Sequence, residues 1–158
     1  MRIGHGYDAH RFEHGKKMII GGVTFEDCPY GLMAHSDGDV LCHAVCDALL
    51  GAAGLGDIGN LFPDNDMSYK NIYSMLLLER VCERVREAGF EIDYIDSTIV
   101  AQQPKMAPYI QKMRECVAKY ANIPVSRYNV KATTEEKMGF TGKREGIAAH
   151  AVCILSEN

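Results

Sequence analysis

At 158 residues the chain has the length of one domain, 1–158, large enough to bury most of the surface that its unfolded form exposes. Hydrophobic residues at 47%, charged residues at 24% and a net charge of −4 exclude a disordered chain and speak against a nucleic-acid partner. No apolar run approaches the roughly 20 residues that span a bilayer, and Met1 leads into strand-like sequence without a signal-peptide pattern, so the expected location is the cytoplasm, away from membranes.

In chain order, residues 1–10 alternate small or apolar with polar residues and predict a strand, with 18–25 as its partner beyond a polar turn at 14–17. Ser36, with Asp39 three residues on, gives a capping-box-like start to a helix whose apolar stripe is Val40, Leu41, Ala44, Val45, Ala48, Leu49 and Ala52. Glycines 51, 54 and 56 end it. The loop over 54–66 carries three glycines and three aspartates, and its length marks it as functional. A second helix over 68–88 closes at Gly89. Then come a strand over 92–101, a helix over 107–121, and strands over 128–132 and 147–155.

This order predicts an α+β, two-layer domain: a mixed β-sheet with helices on one face. The other face needs a cover, because Ile147, Ala149, Ala151 and Cys153 alternate along the last strand and no helix remains to hide them. Self-association through the sheet is the simplest answer. The six cysteines, at 28, 42, 46, 82, 116 and 153, form no C-x-x-C pair and read as reduced packing residues. Cys42 and Cys46 flank His43 one turn apart, which leaves a thiolate metal site as the alternative there.

Asp8 and His10, two apart on a strand, point to the same side. On a helical wheel His43 falls nearly opposite the apolar stripe of its helix, so it is not a core residue. Two imidazoles and a carboxylate leave a fourth tetrahedral position open, the donor count of a catalytic zinc site, although manganese or iron could use the same set. His35 and Ser36 stand at the start of the His43 helix, where free N–H groups favour an anion and His35 can donate to developing negative charge. Asp57, Asp64 and Asp66 in the long loop fit a calcium site, a solvated turn or a pocket for hydroxyl groups, but not the EF-hand spacing. Lys131-Ala132-Thr133-Thr134-Glu135-Glu136-Lys137 leaves a strand with hydroxyls, acids and cations suited to a metal-bridged diphosphate, or to an exposed helix start.

Five motifs occur in order: Gly4-His5-Gly6-Tyr7-Asp8-Ala9-His10; His35-Ser36-Asp37-Gly38-Asp39; Gly56-Asp57-Ile58-Gly59 with Phe62-Pro63-Asp64; Ala101-Gln102-Gln103-Pro104-Lys105-Met106; and Lys131-Ala132-Thr133-Thr134 with Glu136-Lys137. Together, along the whole chain, they closely resemble the 2-C-methyl-D-erythritol 2,4-cyclodiphosphate synthase family. The resemblance implies a homotrimer, sheets packing together and active sites between subunits, that acts in the non-mevalonate route to isoprenoid precursors. Its substrate, a cytidine diphosphate derivative, would be 4-diphosphocytidyl-2-C-methyl-D-erythritol 2-phosphate, whose 2-phosphate attacks the β-phosphorus and expels CMP.

Carried over residue by residue, the resemblance gives Zn2+ to Asp8, His10 and His43, and Mg2+ or Mn2+ to Glu136 with substrate phosphates. His35 and Thr134 match the catalytic transition-state stabilisers. Asp8, His10 and Ser36 stand against the phosphates. Asp57, Ile58, Gly59, Phe62, Pro63, Asp64, Asn65 and Asp66 match the methylerythritol pocket. Ala101, Gln102, Gln103, Pro104, Lys105, Met106 and Ala107, with Ala132, Thr133 and Thr134, match the cytidine pocket, and Glu135, Phe140 and Lys143 are further substrate contacts. Three positions depart from the family pattern: Glu135 replaces a threonine, Lys143 an arginine, and His150 a frequently acidic residue near the trimer axis, where a central cavity can hold a prenyl diphosphate. A bacterial cytoplasm is the implied location, with a plastid stroma the alternative. A zinc-hydroxide phosphoesterase and a non-enzymatic metal-stabilised regulator are the rival readings. Neither explains a cytidine-type pocket beside an acidic polyol-type loop.

Overall fold

The computed structural model describes residues 1–158. Strand β1 (Arg2–His14) follows the alternation of its sequence and carries Asp8 and His10. The long partner strand expected over 18–25 is not there. Gly21 and Gly22, both at positive φ, turn that segment back on itself as a small separate hairpin of β2 (Ile19–Ile20) and β3 (Val23–Thr24). Strand β1 pairs instead with β4 (Tyr30–Leu32) and, along most of its length, with the last strand, so the partner of the N-terminal strand comes from the far end of the chain.

The next element, α1 (Val40–Ala53), starts later than Ser36 suggests. Gly38 at positive φ interposes a turn, and Asp39 is the cap, its Oδ1 accepting the Cys42 N–H at 3.0 Å. The long loop contains a short helix, α2 (Ile58–Leu61), capped by Asp57. The helix expected over 68–88 is interrupted: a 3-10 turn at Met67–Tyr69 and Asn71 in the left-handed region precede α3 (Ser74–Glu87). Strand β5 (Phe90–Val100), α4 (Ile110–Ala121), β6 (Tyr128–Thr133), a single turn α5 (Gly139–Gly142) and β7 (Gly146–Glu157) complete the chain. The result is a five-stranded mixed sheet in the order β4-β1-β7-β5-β6, with only β5 and β6 parallel.

The helices lie on one face. Helix α1 sits so close to β1 that a Cβ on Gly4 or Gly6 would fall 1.9 Å from the carbonyl oxygen of Ala48 or Ala44. Only glycine permits that approach, and it sets the distance between His43 and the strand. Ile147, Ala149, Ala151 and Cys153 are corrected by the same contact. They are buried beneath α1, with Cys153 Sγ donating to the Ala48 carbonyl at 3.2 Å. The uncovered face belongs to the other parity: Ile3 (68% exposed), Tyr7, Tyr94 and Val152, with His5 and His150 among them. An apolar sheet face therefore does lack a cover, on different residues from those expected. All six cysteines are free thiols, and no helix is long and apolar enough to cross a membrane.

Candidate functional site

Helix α1 is buried at every position except His43, Asp47 and Gly51, which recur every four residues and form one polar edge. That edge faces the side of β1 from which Asp8 and His10 project. Asp8 Oδ2 lies 2.7 Å from His10 Nε2 and 3.1 Å from His43 Nδ1, and the two imidazole nitrogens are 3.4 Å apart. Donors bound tetrahedrally to one ion at about 2.0–2.1 Å stand roughly 3.3 Å from each other. One carboxylate and two imidazoles, partly buried and converging at such spacings, are placed to hold a metal ion.

The charges agree with that arrangement. Burial works against ionising Asp8, yet hydrogen bonds and charge from His10 and His43 hold its carboxyl down at about 2. Burial likewise disfavours a charged His43, but Asp8, with Asp39 and Asp37 farther off, raises its pKa above the ordinary 6.5. Both shifts reflect the mutual stabilisation of the Asp8 carboxylate and the His43 imidazolium.

A cavity of about 370 Å³ opens beside the cluster. Of the expected residues, His35, Ser36, Ile58, Gly59, Phe62 and Asp64 line it together with Asp8, His10 and His43. Ser36 Oγ accepts the Gly38 N–H and lies 3.2 Å from His43 Nε2. His35 Nε2 is 3.0 Å from the Asp66 carbonyl oxygen, which ties the helix start to the acidic loop. Asp57 and Asp66 serve as local caps for Asn60 and Ser68, and Asp57, Pro63, Asn65 and Asp66 do not line the cavity.

Sequence reading missed Asp47, Tyr69, Ile72 and Leu77 in the wall. Asp47 had a signal, being four residues after His43 on the same helix edge. Its Oδ1 accepts the Ile58 N–H at 2.7 Å, so α1 itself anchors the acidic loop, and burial raises its pKa.

The second expected group stands apart. None of Ala101 to Ala107, Ala132 to Glu136, Phe140 or Lys143 lines this cavity. Ala101 N–H bonds to the Thr133 carbonyl at 3.0 Å and Gln102 Oε1 accepts the Lys137 N–H at 3.2 Å, so the two predicted cytidine segments do meet each other. Pro104 and Lys105 border a separate hollow of about 290 Å³ with Phe25, Tyr30 and Tyr109. Every residue from 131 to 140 is exposed, and Glu136 and Lys137 form a left-handed tip. Glu135 turns away from Glu136, its Oε1 accepting from Thr141 Oγ1 at 2.7 Å.

Comparison with known proteins accords with this layout. A family model described as the YgbB family matches residues 1–156. The 2-C-methyl-D-erythritol 2,4-cyclodiphosphate synthase of Azotobacter vinelandii is 57% identical over 155 residues, 98% of each chain. The bifunctional IspDF of Campylobacter jejuni superposes with a TM-score of 0.95 at 46% identity, over 99% of this chain and 42% of that one. A CDP complex of IspF from Plasmodium falciparum gives 0.86 at 31% identity, over 99% and 96%. The resemblance carried by the five motifs is thus borne out along nearly the whole length, and the chain belongs to the YgbB family.

Proposed function

We propose that the chain is an enzyme that converts 4-diphosphocytidyl-2-C-methyl-D-erythritol 2-phosphate to 2-C-methyl-D-erythritol 2,4-cyclodiphosphate with release of CMP. The observation that carries this reading is the convergence of Asp8, His10 and His43 on the cavity edged by His35 and Ser36, in a chain of this family. An oxygen of the 2-phosphate forms a bond to the β-phosphorus while the bond from that phosphorus to the bridging oxygen breaks. The electron pair leaves on CMP, and no water or protein nucleophile enters. Positioning and charge neutralisation supply the catalysis.

Asp8, His10 and His43 would hold zinc, and Glu136 would share magnesium or manganese with phosphate oxygens; when bound, these ions neutralise and polarise the diphosphate. His35 and the Ser36 hydroxyl donate to phosphate oxygens from the segment that leads into α1, and Thr134 donates from the turn after β6. Asp57, Asp64 and Asp66, with Ile58, Gly59, Phe62, Pro63 and Asn65, receive the methylerythritol hydroxyls. Ala101 to Ala107 and Ala132 to Thr134 read cytosine through backbone groups, with Glu135, Phe140 and Lys143 at their border.

The active enzyme is a homotrimer with each site shared by two subunits, and two observations support this. Thr134 and Glu136 lie outside the cavity that Asp8, His10 and His43 edge, on a stretch in which every residue from 131 to 140 is exposed, so the two halves do not share one pocket within a chain. The uncovered apolar face around Ile3, Tyr7 and Val152 offers a surface for neighbouring sheets. His150 on that face leaves the enclosed centre open to an anion such as a prenyl diphosphate. The cytoplasm is the proposed location.

Phosphorus NMR of the protein with substrate and magnesium tests the reaction. A cyclic diphosphate and CMP, lost on chelation, are expected; CMP with an open-chain diphosphate would mean hydrolysis, and binding without CMP would mean a regulator.

A further inference from the structure

His43 makes a second set of contacts on the ring edge away from Asp8. Its Nε2 lies 2.9 Å from Ser74 Oγ, and that hydroxyl lies 2.5 Å from Asp37 Oδ1. Ser74 is the first residue of α3 and is fully buried, and Asp37 is buried beside it. The other Asp37 oxygen accepts the Ser74 backbone N–H at 2.8 Å, and Oδ1 also accepts the Asp39 N–H at 3.0 Å.

We propose that Ser74, braced by Asp37, is a positioning residue that fixes the tautomer and ring orientation of His43 and so sets the affinity of the Asp8–His10–His43 cluster for a divalent metal. This rests on the reading of that cluster as a metal site.

The proton inventory carries the argument. A serine hydroxyl has one proton to give, and an ionised carboxylate only accepts. The short contact with Asp37 therefore takes the Ser74 proton, which leaves the serine lone pairs to accept. The donor that faces them is His43 Nε2–H. A neutral imidazole carries a single N–H, so placing it at Nε2 leaves Nδ1 as a bare lone pair, and Nδ1 is the atom that meets Asp8 and His10. Ser36 Oγ, at 3.2 Å from the same Nε2, is a longer second acceptor that already takes the Gly38 N–H.

Ser74 is itself held from several sides. Its carbonyl accepts from Cys42 Sγ at 3.2 Å, and the Asp37 N–H donates to the Ile72 carbonyl at 3.2 Å. The seating of α3 against α1 is thereby transmitted to the imidazole. Hydroxyl and carboxylate partners of this kind, behind a ligating histidine, orient the ring and raise its basicity, and losing one weakens metal binding about 10–100-fold.

Zinc affinity of the metal-free full chain, measured by competition with a chromophoric chelator, tests the proposal without reference to turnover. Ser74→Ala should bind zinc about 10–100-fold more weakly and shift the visible bands of the cobalt-loaded protein, while Ser74→Thr, which keeps the hydroxyl, should restore both. Equal affinity in wild type and Ser74→Ala would overturn the proposal. Nitrogen NMR of zinc-loaded wild type gives a measurement that does not depend on a variant's folding: His43 should carry its one proton on Nε2, and a bare Nε2 would equally overturn the proposal. Failure of wild type to bind zinc at all would sink the metal-site reading itself, an outcome distinct from the other two.

Discussion

Asp8, His10 and His43 stand on β1 and α1, two elements whose backbones touch across Gly4 and Gly6, and their donor atoms already lie 2.7–3.4 Å apart. Thr133 at the end of the edge strand β6, and Thr134, Glu135 and Glu136 on the exposed turn after it, are held by a few hydrogen bonds and lie outside the cavity beside the first group. The first group is preorganised by core packing, so its geometry is as stiff as the fold. The second has every residue exposed. The proposed shared site would reconcile the two, each subunit lending its rigid half to the looser half of a neighbour.

The sharpest way to break that comparison is complementation. His43→Ala and Glu136→Gln should each lower kcat/KM by about 10²–10³-fold, the scale of losing one charge-stabilising group. Expressed together, the two variant chains should assemble some sites from two intact halves, and random mixing in trimers restores roughly a quarter of wild-type activity. A mixture no better than its parts would place both halves in one chain and end the shared-site reading.

The rigid half can be loosened on its own. Asp39 caps α1 and also accepts the N–H groups of Gly21 and Gly22 at 2.9 and 2.7 Å, so one buried carboxylate joins the helix to the β2–β3 hairpin. Asp39→Ala removes a cap worth about 1 kcal/mol and strands two N–H groups at about 1 kcal/mol or more each, a loss of about 3 kcal/mol in urea unfolding. A loss below about 1 kcal/mol would show that the hairpin does not depend on that carboxylate.

What the sequence made legible follows the same division. Asp8, His10 and His43 could be read because strand and helix periods say which side chains share a face, and those periods hold on a packed scaffold. The parity of β7 could not. Ile147, Ala149, Ala151 and Cys153 plainly share a face, but which face is settled by α1 settling onto Gly4 and Gly6, a contact between segments some 40 residues apart. The hairpin within 18–25 was hidden for a local reason, since an alternating apolar run reads as one strand unless the positive φ of Gly21 and Gly22 is foreseen. Ser74 stands 31 residues from His43 and no short-range pattern links them. Thr134 and Glu136 could be read only as part of a polar run after a strand, because their exposed turn has no periodicity, and their separate roles entered through the family resemblance.

Titration separates the halves more gently, because the perturbed groups cluster in the rigid one. Burial, reinforced by the charge of Asp37, pushes Asp39 from the ordinary 3.8 up to about 6, so its ionisation weighs increasingly on the folded state as pH rises from about 4 to 6. His43 is also raised, so its contribution is complete below pH 6.5 and is lost as pH rises through its folded value. Asp8, held near 2, contributes above pH 3.8 and loses its effect only in strong acid. The metal-free protein should therefore lose stability as pH rises from 4 to 8, first through Asp39 and then through His43. Saturating zinc, which competes with protons for the same donors, should protect most at the alkaline end and flatten the profile. A metal-free profile that rises with pH over this window would contradict these assignments.

The smallest expected effect lies in the loose half. Glu135 stands beside the proposed metal glutamate, and a free acid there would compete with Glu136 for the second ion. Its Oε1 is instead engaged by Thr141 Oγ1, and Thr141 is fully buried, so the carboxylate is drawn back toward the single turn α5. Glu135→Ala should then cost about 1 kcal/mol of stability, for the hydroxyl left without its acceptor. It should raise KM a few-fold by slackening the turn, and leave zinc affinity and the magnesium concentration for half-maximal activity unchanged. A lower magnesium requirement in the variant would mean that Glu135 does compete, and that the turn bends toward the ion more readily than its tie to Thr141 allows. If zinc affinity moved as well, the two halves would not be mechanically separate, and the division between a rigid donor set and a compliant one would have to be redrawn.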